Sequence, residues 1–363
     1  MNENRPLRVS LEELADVATA SASAITAPES AALPTPAPPT ASPIPSKSYG
    51  NVNATPDAPT LAQEKGSILL QAWFYLGLSG LLGALLGWGI AEPGFVDGPD
   101  RARHWGDWFL VPLVVTLMCV GFAVAESIVE RSSKKALIRG GVALPLGMIL
   151  GFFFSNLANL FYTIGLAICG GAGVHTMRNP AVWIARGFAW MILGAAGGVI
   201  YGIIGKSMKK TGYGALGGAI GAAVGGTVFD PIAIATHGGA TSRAVGFGLL
   251  GMATGIAIGL VESALKDRWL YVTAGPLAGK QFILYKPRTA VGSSQACDIY
   301  LFKDPEILPE HAILEMKGSK IHLLANGTAY IAGQPVRGTR VLESGTIIQL
   351  GRYAFRYQER QRS

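Results

Sequence analysis

The chain has 363 residues, of which 50% are hydrophobic and only 15% charged, against about 25% charged in ordinary soluble domains; a single water-soluble globule is excluded. Its net charge of +7 comes without a basic, aromatic-rich surface motif, and basic residues beside apolar spans set membrane topology, so no nucleic-acid partner is expected. The three cysteines, Cys119, Cys169 and Cys297, are far apart and show neither disulfide nor metal-ligand spacing, so no metal and no cofactor is expected.

Residues 1–65 form a polar tail. No basic stretch followed by an apolar core opens it, so no cleaved signal peptide is expected. In "VSLEELADVA", Ser10 and Glu13 have capping-box spacing and predict one short helix. The "TAPESAALPTPAPPTASPIPSKS" that follows is dominated by proline and alanine. Its apolar surface is too small to offset ordering entropy, which predicts a disordered linker. Threonines 19, 26, 35, 40, 55 and 60 are ordinary linker residues or, alternatively, kinase substrates.

Residues 66–266 are membrane material. "SILLQAWFYLGLSGLLGALLGWGI" carries no charge and is long enough to cross hydrocarbon. Five further apolar stretches follow, from "WFLVPLVVTLMCVGFAVA" to "AVGFGLLGMATGIAIGLV". An internal repeat helps to count them. "AESIVERSSKKALIRGG", "IGKSMKKTGYGALGG" and "VESALKDRW" are each a helix end followed by serine and a basic run. The unit is a membrane helical hairpin closed by a basic turn. Lysines and arginines gather at positions 131, 134, 135 and 139, at 206, 209 and 210, and at 266 and 268. The opposite loops hold fewer, so the basic turns are expected in the cytoplasm. Six spans then place both termini there, in a bacterial inner membrane. "LFYTIGLAICGGAGV" (160–174) must in that case be an extension, a re-entrant piece or an interfacial segment, since a seventh span would break the parity.

Glycines recur at every fourth residue in three rows: Gly194, Gly198, Gly202; Gly217, Gly221, Gly225; and Gly251, Gly255, Gly259. In lipid, apolar side chains gain little from meeting one another and close backbone approach matters more. Such rows predict glycine-zipper packing within one bundle; a glycine-lined pore or a homo-oligomer is the alternative. Transport normally needs ionisable groups at mid-membrane. Glu126 and Glu262 instead sit at span ends beside basic turns, where pairing with lysine accounts for them. No metal-protease motif, phosphate loop or nucleophile elbow occurs, so no enzyme and no catalytic residue is expected.

From 267 to 363 the composition changes. "WLYVTAGPLAGKQFILY" alternates and breaks at Gly-Pro and Ala-Gly, which predicts a hairpin. Many short strands with turn signals then predict an all-β sandwich. The phrases "GPLAGKQFIL", "AVGSSQACDIYLFKDPEILPEHAIL", "ANGTAYIAGQPV" and "LESGTIIQLGRYAFRY" follow one another in the order of a known module. The segment 269–359 resembles the forkhead-associated (FHA) family of phosphothreonine-binding domains.

The resemblance implies where a phosphopeptide loop would lie, and where its chemistry differs. The family's turn arginine corresponds to Ser293, followed by Ser294. Its Ser-Arg pair before the histidine corresponds to Leu308 and Pro309. Its backbone-holding asparagine corresponds to Ala332 or to Asn326, because "NGTAYIAG" is one residue longer than the family phrase. Gly292, Asp298 and His311 match and shape the loops; Gly327 and Thr328 complete the Asn-Gly-Thr phrase. A phosphate demands charge-assisted donors, above all a forked arginine, and serine and leucine cannot replace them. Arg288 and Lys286 are the nearest substitutes. The resemblance implies a membrane-anchored scaffold whose FHA-like domain binds a protein partner with weakened phosphothreonine recognition. The expected partner is another protein or the chain's own threonine-bearing tail, which shares a compartment with the domain. The alternative is a transporter or channel with an FHA-like regulatory domain.

Overall fold

A computed structural model of the chain describes residues 66–97, 104–168, 178–336 and 338–360. The helix expected at Ser10, the threonine-bearing tail, Arg101, Arg103 and Cys169 lie outside them. Among the described residues, six helices are long and apolar enough to span a bilayer. They are α1 (Ala72–Ala91), α2 (Trp105–Val129), α3 (Ser133–Ile168), α4 (Pro180–Ile204), α5 (Met208–Ala235) and α6 (Gly239–Leu265). Helix α3 has 36 residues and is about 54 Å long at 1.5 Å per residue. It absorbs residues 160–168 as an extension; Cys169–Val174 lie outside the described residues.

Two of the three repeated phrases end in the same kind of turn; the third, "VESALKDRW", leads from α6 into the strands. At the α2–α3 turn Arg131 has φ 53°, and at the α4–α5 turn Lys206 has φ 54°. The next residue in each turn donates its N–H five residues back: Ser132 to Ser127 O (2.9 Å) and Ser207 to Gly202 O (3.4 Å). This is a Schellman closure, normally given to glycine because the left-handed conformation crowds a Cβ. The α5–α6 turn closes likewise, with His237 at φ 60° and Gly238 N–H on Ala233 O (2.9 Å).

Each glycine row lies in a different seam. A Cβ at Gly194 or Gly198 of α4 would fall 2.1 or 1.8 Å from the carbonyl oxygen of Gly218 or Gly214 in α5, and one at Gly202 would fall 2.1 Å from Thr211 Cα. Gly217, Gly221 and Gly225 of α5 press on the backbone of Ile258, Ala253 and Leu250 in α6. Gly251, Gly255 and Gly259 of α6 press on Gly80, Leu76 and Trp73 of α1. Adjacent helices thus touch main chain to main chain.

Helix α6 ends at Leu265 and strand β1 begins at Arg268. Among the described residues eleven strands follow: β1 (Arg268–Ala274), β2 (Gln281–Ile283), β3 (Arg288–Gly292), β4 (Ile299–Tyr300), β5 (Ala312–Lys317), β6 (Lys320–Ala325), β7 (Ala329–Ile331), β8 (Gln334–Pro335), β9 (Thr339–Leu342), β10 (Ile347–Leu350) and β11 (Tyr353–Glu359). They form two sheets, ordered β2-β1-β11-β10-β7-β8 and β4-β3-β5-β6-β9. The period-2 pattern decides what lies between them. Ala312 and Leu314 of β5, Ile321 and Leu323 of β6, and Tyr353, Phe355 and Tyr357 of β11 all enter one core. Apolar helices and an apolar-cored β-sandwich account for the two halves of the composition.

Candidate functional site

One end of the sandwich carries three loops: β3–β4 (293–298), β4–β5 (301–311) and β6–β7 (326–328). Gly292 ends β3 against the Pro309 carbonyl, where a Cβ would come within 2.2 Å. This contact lets the first two loops zip together. Ser293 N–H donates to Leu308 O (2.9 Å) and Ser294 N–H to Pro309 O (3.1 Å). The Ser293 hydroxyl donates inward to Ile307 O (2.8 Å). The Ser294 hydroxyl accepts from Ala296 N–H (3.2 Å).

His311 is the post around which the loops are hung. It is 1% exposed. Its Nδ1 accepts from Leu308 N–H (3.1 Å), so the ring proton sits on Nε2, which donates to Thr328 O (3.0 Å). The His311 carbonyl accepts from Asn326 N–H (2.9 Å) and Gly327 N–H (3.0 Å). A Cβ on Gly327 would fall 2.4 Å from the imidazole, so only glycine lets this loop lie on the ring. The Asn326 amide donates to Glu310 O (3.2 Å). Of the two positions open for the family's asparagine, Asn326 is thus at this turn, whereas Ala332 (φ 49°) lies in the β7–β8 turn.

Ser293, Ser294, Leu308, His311, Asn326, Gly327 and Thr328 are therefore brought together, with their described side-chain hydrogen bonds directed into the loops. Arg288 stands at the edge on β3, 65% exposed, and pairs with Glu310 (3.3 Å). Lys286 is held by Asp298 (2.6 Å), whose other oxygen accepts from Ala290 N–H (3.0 Å). The outward face of the turn is Glu306, Leu308, Pro309 and Glu310, all exposed. Two carboxylates and an apolar patch meet whatever approaches. Burial, with Glu310 adding to it, pushes the Cys297 thiol up, and the thiol donates to Pro309 O (3.0 Å).

Sequence reasoning missed the joint between sandwich and bundle. Lys280, in the β1–β2 turn, pairs with Glu130 of the α2–α3 turn at 2.7 Å, and both side chains are 2% exposed. Lys135 of α3 donates to Cys297 O (2.6 Å), and Ser132 donates to Gln295 Oε1 (3.3 Å). The β3–β4 loop is therefore seated on a membrane turn. Arg131 stands over the Phe302 ring (5.7 Å). The Tyr285 hydroxyl donates to Glu262 of α6 (2.9 Å), and Tyr201 of α4 donates to its second oxygen (3.2 Å). Burial and the Glu262 carboxylate keep the Tyr285 phenol protonated far above its ordinary range. Glu126 takes Arg139 (3.0 Å) and Lys210 (3.1 Å). The one available signal was the linker: two residues between α6 and β1 leave the domain no room to swing.

The C-terminal segment matches a family model described as the cytoplasmic domain of the inner membrane component of T3SS, over residues 271–361. A curated relative is the glycogen accumulation regulator GarA of Mycolicibacterium smegmatis, 33% identical over 88 residues, which are 23% of this chain and 54% of that protein. The chain thus spans about half the length of that relative. Among solved structures, it is similar to the cytoplasmic domain of the T3SS sorting platform protein PscD of P. aeruginosa (25% identity, 27% of this chain and 83% of that one, TM-score 0.24). It is also similar to the N-terminal FHA domain of S. cerevisiae Rad53p, solved with a phosphothreonine peptide (14% identity, 26% of this chain and 94% of that one, TM-score 0.25). The C-terminal segment of this chain is an FHA-type domain, carried on a helical membrane bundle.

Proposed function

We propose that the chain is a membrane-anchored docking protein of a bacterial inner membrane. Its FHA-type domain faces the cytoplasm and binds a protein partner without needing phosphothreonine. The carrying observation is the disposition of donors at the recognition loops. Ser293 gives its hydroxyl to Ile307 O, Asn326 its amide to Glu310 O, and Lys286 its ammonium to Asp298. Arg288 faces Glu310. A phosphate dianion would meet Glu306 and Glu310 where charge-assisted donors are required. The exposed Leu308–Pro309 knob suits an apolar contact instead.

The basic turns share the sandwich end of the bundle, as Lys135 and Ser132 touch the β3–β4 loop, and the positive-inside rule makes that end cytoplasmic. The match to an inner-membrane family supports the compartment. At the same end Glu126 is neutralised by Arg139 and Lys210, and Glu262 accepts two tyrosine hydroxyls. These contacts fit a joint better than a permeation path.

The test uses the full chain in its own membranes, with a photo-cross-linking residue at position 308. The same adduct is expected from phosphatase-treated and untreated membranes. An adduct that disappears on phosphatase treatment would overturn the phosphate-independent reading. An adduct to residues 1–65 of the same chain would identify the tail as the partner.

A further inference from the structure

The bundle holds a cavity that docking does not use. It measures about 610 Å3 and lies between α2, α3 and α4, in the half of the bundle away from the sandwich. That volume is within the range of small-ligand sites, roughly 300–1,000 Å3.

Its wall has an unusual chemistry for lipid depth. Arg186 of α4 is fixed along one edge by Asp230 of α5 (Nε to Oδ2, 2.9 Å); the carboxylate is 1% exposed and the arginine 21%. The guanidinium plane is held by the rings of Tyr162, Trp190 and Phe229, at 5.0, 5.9 and 5.5 Å. Nη2 lies toward the Tyr162 hydroxyl (3.4 Å), and Tyr162 itself lines the cavity. Asp230 takes the Nε edge and the rings flank the guanidinium, so Arg186 lines the cavity in a fixed setting.

Helix α3 faces Arg186 with "SNLAN", a polar run in an otherwise apolar stretch. Ser155, Asn156 and Asn159 all line the cavity. The Ser155 hydroxyl oxygen is buried and has no hydrogen-bond partner among the described residues. Asn156 returns its amide to Phe152 O (2.8 Å). Polar groups in hydrocarbon are costly unless satisfied, and these are gathered on one wall opposite a preset cation. Trp108 and Phe152 make the wall apolar beside them, and the Asp107 carboxylate sits toward the start of α2. Asn156 and Asn159 are exposed on the side of α3 that carries exposed Phe153 and Leu160, so the cavity opens to the bilayer.

We propose that this cavity binds the headgroup of a phospholipid from the leaflet distal to the sandwich. The phosphate oxygens accept from Arg186, Ser155 and Asn159, and the acyl chains run along Trp108 and Phe152. The opening on the bilayer side, beside exposed Phe153 and Leu160, and the apolar Trp108 and Phe152 on the wall favour a lipid-borne phosphate over a free one.

The test uses the full chain in detergent. Native mass spectrometry is expected to find one retained phospholipid per wild-type chain. Short-chain phosphatidylethanolamine is expected to raise the melting temperature. Asn159→Phe fills the cavity from its lipid side without touching the ion pair, and R186Q/D230N removes the cation without orphaning a charge. Each is expected to weaken binding roughly tenfold or more, as loss of a charge-assisted contact does. Absence of retained lipid from wild-type, or equal retention in folded Asn159→Phe, would overturn the proposal. Inorganic phosphate giving the same shift would overturn the lipid assignment.

Discussion

Helix α1 and strand β11 place large side chains in opposite ways. In α1, Leu78, Leu82, Leu86 and Ile90 are 46–61% exposed, while Gly80, Gly83, Ala84 and Gly87 are buried. In β11, Tyr353, Phe355 and Tyr357 are 0–1% exposed, while Arg356 and Gln358 face outward. The inversion follows from the solvent. Water drives large apolar groups inward; lipid is as apolar as leucine and exerts no such pull, so the bundle gains by bringing backbones together. One chain therefore obeys two packing rules, and two linker residues separate them.

The largest effect that separates those rules is expected at Gly198. Gly198→Leu puts a side chain where even a Cβ would lie 1.8 Å from Gly214 O, so no monodisperse protein should survive size-exclusion chromatography. Gly212→Leu, with open space around its Cβ position, should elute as wild-type. If both variants fold equally well, main-chain contact is not what holds the bundle.

Next in size is the joint. Lys280→Met leaves Glu130 buried with only Lys135, 3.6 Å away. Removing one partner of a buried pair costs about 3–5 kcal/mol. Thermal melting should fall, and protease should cut between α6 and β1. A third substitution tests the loops: His311→Ala strips the partners from Leu308 N–H and Thr328 O, at about 2–4 kcal/mol for two orphaned groups. Gly318→Ala is expected to cost less, about 1–2 kcal/mol, because the position has φ 61° and open space, so only left-handed strain is felt.

The smallest effect concerns pH. Burial, as the main cause, pushes the Tyr353 phenol up to about 12. Its folded pKa exceeds the ordinary value near 10, so its contribution to stability is complete below pH 10 and is lost as pH rises toward 12. Ultraviolet titration should show several phenols that resist ionisation through pH 10, Tyr285 among them, and the difference between wild-type and Tyr353→Phe should correspond to one such phenol ionising as pH rises toward 12.

The sequence made the architecture legible because each half carries its own period. Charge-free runs marked the spans, and alternation with glycine-bearing turns marked the strands. The rows of glycine announced close approach, but not to what: Gly198 meets a glycine of α5, Gly221 meets Ala253 and Thr254, and Gly255 meets Leu76. Spacing along one helix holds no information about its neighbour. The FHA loops were legible as motifs, including the serine in place of arginine at 293. That the Ser293 hydroxyl turns inward to Ile307 O depends on the Gly292–Pro309 contact, which is tertiary. Lys280 was the least legible residue. In "GPLAGKQFIL" it has the context of a solvated hairpin lysine, yet it is 1% exposed against Glu130, 150 positions away.

The Lys280–Glu130 clamp has a consequence for how a partner is found. A domain on a loose tether samples many attitudes and gives up that freedom when it binds. Here the attitude is fixed before any encounter, since the sandwich rests on the α2–α3 turn and on Glu262. In the docking role proposed above, the molecule would search by drifting sideways in the plane of the bilayer, with its loops held at one height and one tilt. Whatever docks there must match that height and tilt, so the geometry of the membrane itself becomes part of the selectivity.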